Sequence, residues 1–148
     1  MRILFLCVAN SARSQMAEGL ARAAGVESLE VLSAGSSPTA LRSEATEVLR
    51  ELDIDIRGQQ SKGIGSIPLD SIDLVITLCK EEVCPLLPGH TQHLHWPIED
   101  PARNPDASER VRLFRFREAR DEIARRLNQL WGQYSLNARH HLGPDPQE

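Results

Sequence analysis

The sequence has little cysteine, no long apolar run and no excess of positive charge, and each shortage removes a class of protein. The 3 cysteines among 148 residues are an odd count, too few for the disulfide framework of a small secreted domain. The thiols are therefore to be read for chemistry or metal binding. No stretch approaches the ~18 consecutive apolar residues of a membrane span. The apolar start at Ile3, Leu4, Phe5 and Leu6 is too short for the core of a signal peptide. A cytoplasmic location and no membrane partner are expected. Excess positive charge is also missing. With 17 Lys and Arg against 21 Asp and Glu, the net charge is -4, which gives no general attraction to nucleic acid.

What is present is an alternation of strand and helix patterns in a length suited to one domain. Arg2 to Cys7 is an apolar run of strand length, and Met16, Leu20 and Ala23 or Ala24 follow at helical spacing. Leu29 to Ser33 reads as a second strand, running into the loop 34–38. Ala45, Val48, Leu49 and Leu52 then mark an amphipathic helix. Ile72 to Leu78 has the near-continuous apolarity of a strand covered on both faces, and His93 to Trp96 gives a fourth. From Glu109 to Trp131 the apolar positions Phe116, Ala119, Ile123, Leu127 and Leu130 keep steps of three or four, predicting a long helix with one buried face. Strands alternating with helices imply an α/β fold: a four-stranded parallel sheet flanked by helices on both faces. Residues 1–131 form the expected domain. Residues 132–148, which lack periodicity, are expected to be an exposed tail.

The main chemical signal is the segment Cys7, Val8, Ala9, Asn10, Ser11, Ala12, Arg13, Ser14. It leaves a buried strand and opens a helix. A loop wrapped between those two elements points successive backbone N–H groups inward and makes a concave site for a tetrahedral oxyanion. Arg13 adds a bidentate clamp. The same amides, with a hydroxyl donated from Ser14, would stabilise a thiolate at Cys7 and make it a nucleophile beneath the anion's central atom. The loop contains no glycine, so Asn10 is the natural residue for its left-handed position.

Cys-(five residues)-Arg-Ser at the N-terminus resembles the signature of the low-molecular-weight tyrosine phosphatases and their arsenate reductase relatives. The resemblance extends over about the first 131 residues. Within it, the stretch from Asn10 to Gly19 and the stretch His95, Trp96, Pro97, Ile98, Glu99, Asp100, Pro101 are more similar to the reductase branch. Ala9 and Ala12 stand where the phosphatases commonly have glycine and a second cysteine, and no tyrosine pair follows Pro101. The resemblance implies that Asp100, on a loop stiffened by Pro101, is a general acid over the anion pocket. It also implies a relay. Cys7 attacks arsenate to form a thiol–arsenic adduct, Cys79 attacks Cys7 and releases arsenite, and Cys84 attacks Cys79 to leave a disulfide. Phosphate and sulfate would compete as oxyanions. No bound cofactor is implied, the reducing equivalents coming from a thiol reductant, thioredoxin or glutaredoxin. Four residues separate Cys79 from Cys84, fewer than thioredoxin-coupled members commonly have, which leaves the choice of donor open. On an ideal helix that spacing exceeds the ~7 Å Cα limit for a disulfide, so 80–83 is expected to depart from a helix and to change conformation on oxidation.

Other readings compete. A tyrosine phosphatase needs only Cys7, Arg13 and Asp100, with water resolving the intermediate, and an anion sensor would keep the loop without turnover. Cys79, Cys84, His90, His93 and His95 lie close enough in sequence for a zinc site, but that reading leaves the Cys7 loop unexplained, and no metal is expected. The arginines of the last helix are interleaved with Glu109, Glu118, Asp121 and Glu122, the pattern of a solvated, ion-paired face.

Overall fold

A computed structural model describes residues 1–80 and 92–143. The elements follow the expected alternation: β1 (Arg2–Cys7), α1 (Arg13–Ala23), β2 (Glu30–Gly35), α2 (Ser43–Arg50), β3 (Leu74–Thr77), β4 (Gln92–His95) and α3 (Glu109–Gln133). Short 3-10 turns at Ile64–Ser66 and Leu69–Ser71 precede β3. The four strands form one parallel sheet in the order β2-β1-β3-β4. Chain order reverses between β1 and β3, and the C-terminal edge at such a reversal is where open α/β sheets build their sites.

Alternation along β1 divides the apolar side chains between two layers. Ile3 and Phe5 belong to the larger cluster, with Met16 and Leu20 of α1, Val48 and Leu49 of α2, and Phe116, Ile123 and Leu127 of α3. Leu4 and Leu6 face the other way, onto Val75, Ile67, Ile72 and the flanking Ile64 and Leu69. The described α-helices thus share one face of the sheet, and the short 3-10 turns take the second.

Local signals explain the element ends. Ser108 caps α3 by accepting from the Val111 amide at 3.3 Å. Gly25, at φ 66, lets the chain turn out of α1. Asp73, expected within the third strand, instead stands before it and accepts the Arg2 amide at 2.8 Å. Most side chains after α3 are exposed, yet this segment is not free. The Arg139 and His140 amides donate to Ala24 O at 2.8 and 3.1 Å, and Asn128 bonds both the amide and the carbonyl of Leu142, which is buried. An isolated apolar residue has no period to reveal such an anchor. The polar face of α3 is ion-paired as its charge pattern predicts, with Arg117 and Arg120 on Glu51 and with Arg125 and Arg126 on Glu122. Among the described residues no helix is long and apolar enough to cross a membrane.

Candidate active site

Cys7 is the last residue of β1 and Arg13 the first of α1, so the intervening loop joins the strand's C-terminal end to the helix N-terminus. Asn10 holds the left-handed conformation expected of it, at φ 48. Around this bend the loop carbonyls turn outward to fixed donors. Val8 O accepts the Ser37 amide, Ala9 O the Thr39 amide and Ser11 O the Arg42 amide, each at 2.9 Å. Ala9 O also accepts Ser61 Oγ at 3.1 Å, and Asn10 O accepts Gln15 Nε2 at 3.0 Å. With its carbonyls engaged outside, the loop keeps its amides on the concave side, where the Asn10 N–H donates to Cys7 Sγ at 3.2 Å.

A buried chain of hydrogen bonds continues from the sulfur. Ser14 Oγ lies 2.8 Å from Cys7 Sγ. Asn10 Oδ1 accepts the Lys62 amide at 2.7 Å, which fixes the orientation of the carboxamide. Its Nδ2 therefore donates, to Ser14 Oγ at 2.8 Å and to Ser33 Oγ at 3.0 Å. Ser14 Oγ accepts from Asn10 and keeps one proton of its own, which it can donate to a Cys7 thiolate. Ser33 Oγ donates in turn to Glu18 Oε1 at 2.6 Å. Glu18 is buried in α1 and pairs with Arg22 and, at 3.6 Å, with Lys62.

Cys7 forms part of the floor of a cavity of about 280 Å³ lined also by Val8, Ala9, Ser11, Ala12, Arg13, Thr39, Arg42, Asp100 and Ala102. Arg13 is buried, and its guanidinium is braced by Nη1 donating to Ile98 O at 2.8 Å and Leu78 O at 3.4 Å. Asp100 is half-buried at the rim. Its Oδ1 accepts the Ala102 amide at 2.9 Å, and its carbonyl accepts from Arg103 Nη1 at 2.9 Å. The carboxylate that the resemblance assigned to the pocket is thus among its walls, on a loop held by its own turn.

Cys79 is buried just beyond β3, the neighbour of β1, and is held in a disulfide, whereas Cys7 is a free thiol. Register pairs Leu6 with Thr77, so Cys79 emerges at the sheet edge that carries Cys7 without lining the cavity. Cys84 and His90 lie outside the described residues. His95 is engaged by Thr77, its Nδ1 lying 2.7 Å from the Thr77 hydroxyl. Among the described residues no group of three or more His, Cys, Asp or Glu is placed to hold a metal ion. Thr39 and Arg42 in the wall, and Ser33, Glu18, Gln15 and Lys62 behind the loop, were not singled out from the sequence. Gln15 and Glu18 belong to the helix that the loop opens, whereas Ser33, Thr39, Arg42 and Lys62 come from segments brought to the loop by long-range packing.

Comparison with known proteins agrees with this geometry. The family model for low molecular weight phosphotyrosine protein phosphatase matches residues 2–141. An arsenate reductase of Bacillus subtilis is 42% identical over 129 residues, 86% of this chain and 92% of that protein. A solved arsenate reductase in a phosphate-binding state superposes with a TM-score of 0.74 at 34% identity, covering 89% of this chain and 97% of that one. A thioredoxin-dependent arsenate reductase of Corynebacterium glutamicum gives 0.69 at 32% identity, covering 90% of this chain and 61% of that one. Strand order, loop and sequence agree that the chain belongs to the low-molecular-weight phosphotyrosine protein phosphatase family.

Proposed function

We propose that this chain is a cytoplasmic arsenate reductase working through a three-thiol relay. The carrying observation is the pairing of a free Cys7 in an oxyanion cavity with a disulfide-bonded cysteine, Cys79, just beyond the end of the adjacent strand. The named relatives at 32–42% identity, all arsenate reductases, support the same activity.

Arsenate binds with its oxygens against the loop amides and the Arg13 guanidinium. The Cys7 thiolate attacks arsenic, and protonated Asp100 hands its proton to the departing oxygen, which leaves as water. The Cys79 thiolate then attacks Cys7 Sγ. The sulfur–arsenic bond breaks, its electron pair reduces As(V) to As(III), and arsenite leaves behind a Cys7–Cys79 disulfide. The Cys84 thiolate attacks Cys79, frees Cys7 and forms a Cys79–Cys84 disulfide. An external dithiol closes the cycle. The thioredoxin-dependent relative favours thioredoxin over glutaredoxin in that role. Neither a resident metal nor a bound cofactor enters this scheme.

A phosphatase would need Cys7, Arg13 and Asp100 alone, with no use for an oxidisable thiol at Cys79. Discrimination of arsenate from phosphate is chemical, because only the arsenic adduct is reduced by a second thiol. The test is arsenate-dependent NADPH consumption with thioredoxin and thioredoxin reductase. Turnover by the native chain, abolished in Cys79→Ser and Cys84→Ser, supports the relay. Turnover that survives in both variants refutes it.

A further inference from the structure

The cavity holds a second arginine for which the relay has no use. Arg42 precedes the first residue of α2, with its backbone extended at φ -72 and ψ 133. Its amide donates to Ser11 O at 2.9 Å, so its backbone is clamped onto the anion loop. Its side chain is half-buried in the cavity wall with Cys7, Arg13 and Asp100. Among the described residues its guanidinium makes no hydrogen bond or ion pair, while most of the other arginines are held by carboxylates or carbonyls. The acid nearest in sequence, Glu44, faces Arg112 at 3.6 Å. A cation in a cavity wall that has no counter-ion among the described residues is placed to receive an anionic ligand.

We propose that Arg42 is the second oxyanion-binding cation of the site and a determinant of its specificity. This inference rests on the arsenate reductase reading. At neutral pH the dianion of arsenate carries one charge more than Arg13 balances. Asp100 is neutral when it serves as acid and does not cancel Arg42. Arg13 grips the oxygens nearest the loop, where it is braced by Ile98 O, and Arg42 takes an oxygen nearer the rim. An inorganic oxyanion presents a bare, charged oxygen there, whereas a phosphate monoester carries its substituent at that position. Arg42 therefore favours small inorganic dianions over esters.

Phosphate binds without being reduced, so titration calorimetry with inorganic phosphate reads the site apart from turnover. The native protein is compared with Arg42→Ala and Arg42→Lys, together with arsenate KM and kcat. Arg42→Ala is expected to weaken phosphate about 10-fold, the scale of one charged hydrogen bond. It should raise KM for arsenate with little change in kcat, and Arg42→Lys should recover most of the affinity. Phosphate binding by Arg42→Ala equal to that of the native chain overturns the proposal. A native chain that does not bind phosphate at all overturns both this proposal and the oxyanion site beneath it. Phosphate binding that depends on Arg42 in a chain without arsenate turnover sinks the reductase reading and leaves Arg42 as an anion ligand.

Discussion

Ser14 Oγ stands 2.8 Å from the Cys7 sulfur and accepts from the Asn10 carboxamide, so its one proton is within reach of a Cys7 thiolate. A hydroxyl so placed supports the sulfur as the attacking atom of the proposed reaction. Replacing Ser14 by Ala removes the donor and leaves the fold intact, since the hydroxyl has only these local partners. Alkylation of Cys7 by iodoacetamide at neutral pH should slow by about 10-fold, the scale of one hydrogen bond to a charged group. Equal alkylation rates in the native and Ser14→Ala proteins would show that the contact does not activate the sulfur.

Asn10 performs two separable tasks, holding a left-handed backbone at φ 48 and tying Ser14 to Ser33. Alanine fails at both, whereas glycine tolerates the conformation and loses only the side-chain bonds. Asn10→Ala should therefore lower unfolding free energy by about 1–3 kcal/mol, and Asn10→Gly by visibly less. Both should lose activity. Urea unfolding at neutral pH separates the two, and a glycine variant no more stable than the alanine variant would show that backbone strain is not the issue.

Gly35 ends β2 directly opposite Cys7. A methyl group there would collide with Val8 O and stand 2.9 Å from the Asn10 amide nitrogen, both backbone atoms of the anion loop and unable to swing aside. Gly35→Ala must push the loop, at a cost of about 1–3 kcal/mol for overpacking. Because the displaced atoms hold the oxyanion, phosphate affinity should fall along with stability. Gly58 has open space at its Cβ position, and Gly58→Ala serves as the control in the same calorimetric and unfolding measurements.

The parts legible in the sequence were those governed by local rules. A buried run ending in Cys7, a loop without glycine and a helix opening at Arg13 identified the nest, and only Asn10 suited its left-handed turn. The period of α3 likewise placed its first residue, Glu109. What escaped was long-range. Thr39 and Arg42 reach the loop through backbone amides, which leave no mark on side-chain pattern. Glu18 reads as an ordinary polar residue of an amphipathic helix until Ser33, Arg22 and Lys62 surround it. Leu142 has no periodic neighbours, and its anchoring depends on Asn128 from another turn of the chain.

The ion pairs joining α2 to α3 give stability a direction with pH. The Arg117 guanidinium, hydrogen-bonded to Glu51, and Arg120 beside it hold the Glu51 carboxyl below the usual carboxylate range, against the opposing pull of burial. A carboxyl with a lower pKa in the folded state than in the unfolded chain adds stability that is fully present above the unfolded value. That contribution is lost as pH falls through the folded value, because the unfolded chain takes up the proton first. Glu51 is exposed and Arg117 half-buried, so solvent screening keeps the contribution modest, about 1 kcal/mol or less. Glu51→Gln should therefore be less stable than the native chain in urea at pH 7, and the gap should close as the pH is lowered below the ordinary carboxylate range. A gap that stays constant from neutral to acid pH would mean that the carboxamide fails through packing or geometry rather than through the loss of charge.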